Sequence, residues 1–178
     1  IENLGYSVYS SLLNSADYGI PQKRERVIMI CVHESIEKEW EFPKPTTPNR
    51  DVPLSIAVPK LRIEDEKYYF SKRAVEGMKN AKKNMKRGLW QDLSEPCLTI
   101  TSHLAKVSLN SRDPVLLVDP DSELYRRFTP REAATIQSFP NSFKFVGSEG
   151  DAYRQIGNAI PPVLAWHIFE EVSKFLAD

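Results

Sequence analysis

Three polar side chains occupy alternate positions just before a strongly apolar segment. They follow a turn that contains glycine and proline, and they are Gln22, Arg24 and Arg26. The apolar residues 27–32 after them predict a buried strand. Because side chains alternate along a strand, the three would share one side at its mouth, where their amide and guanidinium groups can hydrogen-bond a ligand. The alternative is a solvated charge pair with Glu25 between them.

Two later stretches also carry motif-like patterns. Residues 129–140 are Thr-Pro-Arg-Glu-Ala-Ala-Thr-Ile-Gln-Ser-Phe-Pro, and residues 155–162 are Gln-Ile-Gly-Asn-Ala-Ile-Pro-Pro. Together with Gln22-x-Arg24-x-Arg26, and in this order, they resemble the last three sequence motifs of the DNA (cytosine-5) methyltransferases. A long variable segment separates the first motif from the second, as in that family. The order and spacing of the motifs account for nearly all of the chain.

This resemblance implies an α/β fold made of two unequal parts. C-terminal pieces of an S-adenosylmethionine-dependent, Rossmann-like methyltransferase sheet would flank a smaller, loop-rich target recognition lobe. Residues 1–46 would be the C-terminal strands of the catalytic lobe, and residues 47–150 the target recognition domain with a bracing helix at 130–138. Residues 151–178 would return to the catalytic lobe and end in a helix. Three prolines within residues 42–48 predict a semi-rigid linker at the first boundary.

The chemistry of the family needs groups that this sequence lacks. A cytosine is swung out of the duplex, and a cysteine thiolate adds to its ring so that C5 can take the methyl group of S-adenosylmethionine. The Pro-Cys-Gln, Glu-Asn-Val and Phe-x-Gly-x-Gly segments that carry the nucleophile, the acid and the main cofactor loop do not occur here. Cys97 is followed by Leu98 and lies between the motifs, and Cys31 lies in an apolar strand, so neither is taken as the nucleophile. The chain alone is expected to transfer no methyl group.

By the same resemblance, the first motif belongs to the pocket for the target cytosine. Arg26 would reach the flipped base, because a guanidinium is always charged and donates hydrogen bonds in a fixed plane that suits a carbonyl oxygen. Arg24 and Gln22 would hold Arg26 and neighbouring groups in place. Replacement of Arg26 should therefore abolish methylation in a complete enzyme while leaving the fold intact.

The last two motifs would shape the cofactor pocket and support the recognition lobe. Asn158 and Ala159 would help to bind S-adenosylmethionine, with Gly157 permitting a sharp break in the chain. The alternative is a helix break with an asparagine cap and no further role. In the family the preceding motif braces the recognition lobe without doing chemistry, and its matching residues here are Arg131, Glu132 and Gln137.

The segment between the motifs offers candidate contacts to double-stranded DNA. Residues 67–87 contain eight positive side chains and one negative one, which is compatible with a lobe that faces an anion. Lys79 and Lys83 would lie at phosphates, or else on a solvated charged face of a packed helix. Thr99-Ile100 matches a dipeptide that marks this region in the family, so Thr99, Ile100 and the loop after them would lie at base edges.

The composition of the chain argues against a membrane protein and against a metal-binding protein. The formal net charge is zero, and 41% of residues are hydrophobic and 27% charged, which is typical of a soluble globular protein. Apolar runs stay far below the ~20 residues that span a bilayer. The two cysteines and three histidines show no metal-ligand spacing. We therefore expect no membrane and no metal partner, and a reducing setting on DNA in the cytoplasm of a prokaryote.

Local patterns predict the elements that position these residues. Strands are expected at 6–13, 27–32, 98–101 and 114–118. Helices are expected at 51–58, 72–86, 130–138 and 151–156, followed by a terminal helix from 161–162 onward. The helix at 130–138 has the strongest signal, a capping box in which Thr129 precedes Pro130 and Glu132. Gly157 and Asn158 are expected to break the helix before them.

The whole protein remains open to several interpretations. Ile1 is not an initiator methionine, which suggests a fragment whose missing N-terminal catalytic half lies in the same chain or in a partner subunit. The favoured interpretation is the C-terminal part of a DNA (cytosine-5-)-methyltransferase. The sequence does not indicate whether a restriction enzyme accompanies the protein. The alternatives are the second subunit of a split methyltransferase, a tRNA cytosine-5 methyltransferase, and a catalytically dead DNA-binding protein.

Overall fold

The computed structural model describes residues 1–81, 90–106 and 114–177. It is a mixed α/β structure, as the sequence predicts, and its described strands form small two-stranded sheets. In chain order the strands are β1 (Tyr6–Asn14), β2 (Gln22–Lys23), β3 (Glu25–His33), β4 (Cys97–Leu98), β5 (Leu116–Asp119) and β6 (Leu124–Arg126). The helices are α1 (Lys72–Ala81), α2 (Pro130–Ile136), α3 (Glu149–Asn158) and α4 (Pro162–Ala177).

Strands β1 and β3 form a long antiparallel ribbon. The strands pair along their whole length, with Tyr6 opposite His33 and Asn14 opposite Glu25, so the predicted strand pair is confirmed. The ribbon and α4 share a core made of Leu13, Tyr18, Ile20, Leu164 and Ile168, with Ile28, Ile30 and Phe42 at its edge. The terminal helix therefore covers one face of the ribbon, as its apolar residues require.

The prediction that residues 27–32 form a buried strand is wrong for one face. Val27 is 65% exposed and Met29 55% exposed, whereas Ile28 and Ile30 point toward α4. The β1 residue opposite Val27 is Leu12, which is also exposed. The apolar composition of β3 thus exceeds what its contacts with the described residues bury.

The main core lies between the helices α2 and α3 and the part of the predicted target recognition domain that precedes them, residues 47–129, hereafter the recognition segment. It includes Leu54, Ile100, Leu104, Leu116, Phe128, Ile136, Tyr153 and Ile156. The predicted capping box of α2 is confirmed, because Glu132 N–H donates to Thr129 Oγ1 at 3.2 Å and Thr129 N–H donates to Glu132 Oε2 at 2.8 Å. The buried residues of α3 belong to this core, whereas those of α4 belong to the core under the ribbon.

Three helix predictions need correction or restriction. Residues 51–58 contain only a 3-10 turn, Leu54–Ile56, because the N–H groups of Leu54 and Ser55 are engaged by the carbonyls of Glu95 and Leu93. The helix predicted over 72–86 is confirmed as far as α1 extends, and the remainder lies outside the described residues. Helix α3 does not break before Gly157, but runs through it to Asn158.

The proline-rich linker is fastened to the turn between β1 and β2. The N–H groups of Thr46 and Thr47 both donate to Asp17 O at 2.9 Å, and Tyr18 Oη donates to Pro43 O at 2.9 Å. Arg50 adds an ion pair with Asp17. The linker therefore enters the recognition segment from a fixed position beside the first motif.

Within the described ranges, no helix combines the length and the apolarity that a bilayer crossing requires. The same residues contain no group of three histidine, cysteine, aspartate or glutamate side chains placed to hold a metal ion.

The isolated 178-residue chain should self-associate. Apolar side chains are exposed on the ribbon at Leu12, Val27 and Met29, and Trp166 and Phe169 are exposed on α4. Contiguous apolar surface of this kind favours association in water. In sedimentation velocity, we expect the mean sedimentation coefficient to rise with protein concentration, and to fall back toward the monomer value in a Val27→Thr, Met29→Thr variant. A single monomeric species at every concentration would contradict this expectation.

Candidate functional site

The three motif stretches meet in a buried cluster of polar side chains. Its members are Gln22 and Arg24 from the first motif and Gln137 from the second, and all three are buried. The third motif supplies backbone carbonyl groups at the C-terminal end of α3. Buried polar groups of this size need hydrogen-bond partners, and here each motif supplies partners for the others.

Arg24 closes the C-terminal end of α3. Its Nη2 donates to Gly157 O at 2.9 Å and to Ala159 O at 3.0 Å. The last carbonyls of a helix have no partner within the helix, and residue 161 is a proline without an N–H, so Gly157 O depends on an outside donor. A cation at this end also interacts favourably with the helix dipole. Burial, and next the charge of Arg26, lowers the pKa of Arg24 to about 10.

The two glutamines extend the same cluster. Gln22 Nε2 donates to Gln137 Oε1, and Gln137 Nε2 donates to Ile156 O at 3.0 Å and to Ala159 O at 2.8 Å. Ala159 O thus accepts from both Gln137 and Arg24. The Gln22–Gln137 bond joins residues 115 positions apart and the Arg24–Ala159 bond joins residues 135 positions apart, so these side chains hold the first motif to the second and the third.

Arg26 differs from the other two members of its motif. Its side chain is exposed, and its Nη1 donates to the neighbouring Glu25 O at 2.6 Å. Arg26 therefore does not share the buried environment of Gln22 and Arg24. The strand is interrupted at Arg24, whose N–H donates to Gln22 O at 3.0 Å, and this tight turn replaces the regular alternation of an extended chain.

The recognition segment lies directly against the first motif. Strand β4 pairs in parallel with β2, and Thr99 Oγ1 donates to Lys23 O at 2.9 Å. The next residue is held on both sides of its backbone, since Ile100 N–H donates to Gln22 Oε1 at 2.8 Å and Ile100 O accepts from Arg24 Nη1 at 2.9 Å. The Ile100 side chain is fully buried, which corrects the expectation that it contacts DNA itself.

Of the two lysines predicted to contact phosphates, the structure describes only Lys79. Lys79 is exposed on α1 and forms an ion pair with Glu123, so part of its charge is already neutralised. A surface ion pair of this kind contributes little to stability and can exchange for another anion. Lys83 lies outside the described residues.

The candidate cofactor residues follow directly on the cluster. Asn158 ends α3 and is exposed, and no described residue hydrogen-bonds its side chain. Ala159 is half-buried, and its carbonyl is occupied by Arg24 and Gln137. The structure therefore leaves the amide of Asn158 available to a ligand and uses the backbone of Ala159 internally.

Glu132, one of the residues predicted to brace the recognition lobe, forms a buried ion pair with Arg126. Glu132 receives a bidentate pair from Arg126, with Nη1 at 2.8 Å and Nη2 at 2.6 Å. Arg126 also donates to the carbonyls of Leu61 and Lys60. The only hint in the sequence was the Arg126-Arg127 pair before the capping box. Arg131, in contrast, is exposed and holds the following loop through Phe143 O at 2.9 Å.

Clefts in the described part of the chain lie beside the recognition segment. One of about 310 Å³ is lined by Ser102 and His103 from the loop after Ile100, and by Asp151 and Arg154 from α3. A larger cleft, of about 710 Å³, is lined by Arg62 and by residues just before α1. None of its lining residues belongs to the motif cluster. The smaller cleft therefore lies between the loop after Ile100 and the N-terminal part of α3.

Comparison with known proteins assigns the chain to a family. The model of the C-5 cytosine-specific DNA methylases matches residues 1–174. The chain belongs to this family. The resemblance drawn from the three motifs is therefore confirmed. C-5 cytosine-specific DNA methylases use S-adenosylmethionine as methyl donor.

The chain is similar to curated Type II methyltransferases, two of which come from bacteria. It is 33% identical over 191 residues to the Type II methyltransferase M.AplI of Arthrospira platensis, covering 99% of the chain and 50% of that protein. It is 34% identical over 202 residues to the Type II methyltransferase M.Sau96I of Staphylococcus aureus, covering 97% of the chain and 44% of that protein. The chain spans about half the length of the curated relatives it matches.

Solved structures show the same fold. The S. pombe Dnmt2 methyltransferase superposes with a TM-score of 0.70 at 17% identity, over 96% of this chain and 58% of that one. A putative DNA modification methyltransferase encoded within a prophage of E. coli superposes with a TM-score of 0.69 at 20% identity, over 98% of this chain and 62% of that one. At these identities the likeness shows the methyltransferase fold alone.

Proposed function

We propose that this chain is the C-terminal part of a DNA (cytosine-5-)-methyltransferase of a restriction-modification system. Residues 47–150 supply target recognition, and residues 1–46 and 151–178 complete the catalytic lobe. The whole protein flips a cytosine out of duplex DNA and methylates C5. The chain by itself is inactive, because the nucleophilic cysteine, the acid and the main cofactor loop lie outside it.

The observation that carries the proposal is the meeting of the motifs with the recognition segment. Arg24 binds Ile100, Gly157 and Ala159 at once, through N···O distances of 2.9–3.0 Å. A group that contacts a flipped base must be held within a fraction of an ångström of its working position. The cluster gives the first motif this support and ties it to the segment that follows Thr99.

Arg26 is the residue we assign to the target cytosine. Its guanidinium is exposed beside the cluster and is committed only to a neighbouring carbonyl among the described residues. Arg24 and Gln22 act as positioning residues, because they are buried and their hydrogen bonds go to other parts of the chain. The nucleophile approaches from the part of the protein outside this chain.

The residues at the end of α3 fit one edge of an S-adenosylmethionine site. The exposed amide of Asn158 offers both a donor and an acceptor, which suits the hydroxyl and carboxylate groups of this cofactor. When bound, S-adenosylmethionine supplies an electrophilic methyl group. Asn158 would orient the cofactor, while the Ala159 carbonyl keeps this segment in place through Arg24 and Gln137.

The partners of the chain are duplex DNA and the other half of the catalytic lobe. The exposed apolar face of the ribbon, with Val27 and Met29, and the outer face of α4, with Trp166 and Phe169, are surfaces that this half would cover. Thr99 and the loop after it would approach base edges, with Lys79 and Lys83 at phosphates. In a prokaryote such a protein acts on DNA in the cytoplasm.

Methyl transfer by the natural full-length product tests the proposal. Tritiated S-adenosylmethionine should label unmethylated duplex DNA, and bisulfite sequencing should place the label at C5 of one cytosine in a defined sequence. The 178-residue chain assayed alone should give no label. Unmodified transfer RNA serves as the competing substrate in the same assay.

Each alternative has its own result in this experiment. Label in transfer RNA and none in DNA would replace the proposal with an RNA methyltransferase. DNA binding without label in either substrate would indicate a catalytically dead DNA-binding protein. Activity that appears only after a second gene product is added would indicate a split enzyme.

A further inference from the structure

Helix α3 touches the recognition segment at a point where a side chain has no room. A methyl group built on Gly157 would overlap the backbone of Thr101 and Ser102. Gly157 lies inside the helix and does not have a positive φ, so its backbone could be adopted by any residue. Glycine is needed here because two backbones approach each other closely, and not because its own backbone adopts an unusual conformation.

Side chains of the first motif hold the recognition loop in this close contact with α3. The Ile100 backbone, immediately before the contact, is bound by Gln22 Oε1 at 2.8 Å and by Arg24 Nη1 at 2.9 Å. Arg24 Nη2 binds Gly157 O at 2.9 Å, so one guanidinium spans both sides of the contact. The start of the recognition loop is therefore clamped between α3 and the residues that precede Arg26.

The loop continues along α3 after this point. Leu104 is fully buried in the core that contains Tyr153 and Ile156 of α3. Arg127 Nη1 donates to Ala105 O at 2.9 Å. The contact at Gly157 thus sets where the loop begins, and the face of α3 guides the described residues that follow.

We propose that Gly157 is a positioning residue for target recognition. It sets the separation between α3 and the Thr101–Ser102 backbone, and hence the position of the loop after Thr99 relative to Arg26. This inference rests on the proposed function. It implies that Gly157 governs the KM for duplex DNA and the choice of sequence more than the KM for S-adenosylmethionine.

The expected size of the effect follows from packing. Packed interiors transmit strain, so a methyl group at residue 157 displaces the loop or the helix by on the order of 1 Å. A misplacement of this size near reacting groups costs up to about 10²-fold in rate. Gly157→Ala should therefore lower kcat/KM for DNA by about 10- to 100-fold.

Gly150 provides a matched control in the same helix. A methyl group on Gly150 would meet only Ser148 Oγ, at an ordinary contact distance of 3.7 Å. Gly157→Ala and Gly150→Ala in the full-length protein make the same chemical change in the same helix. For both we would measure the KM for DNA, the KM for S-adenosylmethionine, kcat, and the methylated sites by bisulfite sequencing.

Three results are expected together. Gly157→Ala raises the KM for DNA or relaxes the methylated sequence, its KM for S-adenosylmethionine stays within about twofold of wild type, and Gly150→Ala matches wild type throughout. Unchanged KM and sequence choice in Gly157→Ala would overturn the proposal, as would an equal loss of kcat on every sequence with no change in KM. Wild-type protein that leaves DNA unmethylated would instead remove the proposed function on which the inference rests.

A second variant covers the case in which Gly157→Ala does not fold. Gln22→Met removes the acceptor of the Ile100 N–H together with the donor to Gln137 Oε1, and so loosens the same clamp. It should shift the KM for DNA in the same direction, and a folded Gln22→Met protein with wild-type KM for DNA would overturn the proposal.

Discussion

Replacing Arg26 with alanine should lower kcat/KM for DNA methylation in the full-length protein by at least about 10²-fold, the usual cost of one lost donor at a reacting group. The free energy of unfolding should stay within about 0.5 kcal/mol of wild type, as for other exposed side chains. The reason is that Arg26 is exposed and donates only to Glu25 O among the described residues. Its guanidinium is therefore free to serve a ligand. Initial rates of methyl transfer and urea unfolding of the same preparations measure the two effects.

Lys23 is the matched control for the charge of Arg26. Lys23 lies in the same motif, is exposed, and forms a surface ion pair with Glu95 at 3.1 Å. Lys23→Ala removes one positive charge near the same site, and we expect only a small change in kcat/KM that fades with added salt. Equal losses in the two variants would show that Arg26 acts as a general positive charge. Full activity of Arg26→Ala would remove it from the target pocket.

The parts of the structure that the sequence predicted correctly are coded by local patterns. Thr129, Pro130 and Glu132 lie within one turn of each other, so their capping box is visible without knowledge of the fold. The β1–β3 pair likewise follows from two apolar runs around a turn. These features depend on neighbours in the chain, and tertiary contacts only add to them.

The parts that the sequence could not predict depend on distant residues. The tight turn at Arg24 is held by side-chain bonds to Ile100 and Gly157, which are 76 and 133 positions away. Gly157 was expected to break a helix because isolated glycine often does so. In the structure it is required by the Thr101–Ser102 backbone, and nothing near it in the sequence announces that contact.

The buried pair of Arg126 and Glu132 shows the same limit. The bidentate bond joins residues only six apart, yet its burial depends on the carbonyls of Lys60 and Leu61. An arginine before a capping box has no local signature that separates it from a solvated one. Both buried arginines of the described core, Arg24 and Arg126, are thus explained by the carbonyl groups that they bind.

Replacing Arg24 with methionine should destabilise the chain by about 2–4 kcal/mol, since each buried carbonyl left without a donor costs about 1–3 kcal/mol. Ile100 O and Gly157 O lose the donors that Arg24 supplies, whereas Ala159 O keeps Gln137 Nε2 at 2.8 Å. Gly157 O cannot find a replacement in its own helix, because Pro161 follows at the position where the next N–H would be. Part of the loss is offset, because the buried Nε of Arg24 has no partner among the described residues.

Arg154→Met separates this effect from the general loss of an arginine. Arg154 lies on α3 itself, but its side chain is exposed and pairs with Asp151 at the surface. Its replacement should change the free energy of unfolding by no more than about 0.5 kcal/mol. Urea unfolding of the 178-residue chain at low concentration gives both values. If Arg24→Met were no less stable than Arg154→Met, the C-terminal end of α3 would not depend on Arg24, and the cluster would not join the three motifs energetically. The expected loss would instead mean that the residues placing Arg26 also hold the end of α3 and the start of the recognition loop, so that the first motif cannot be altered at Arg24 without loosening the other two.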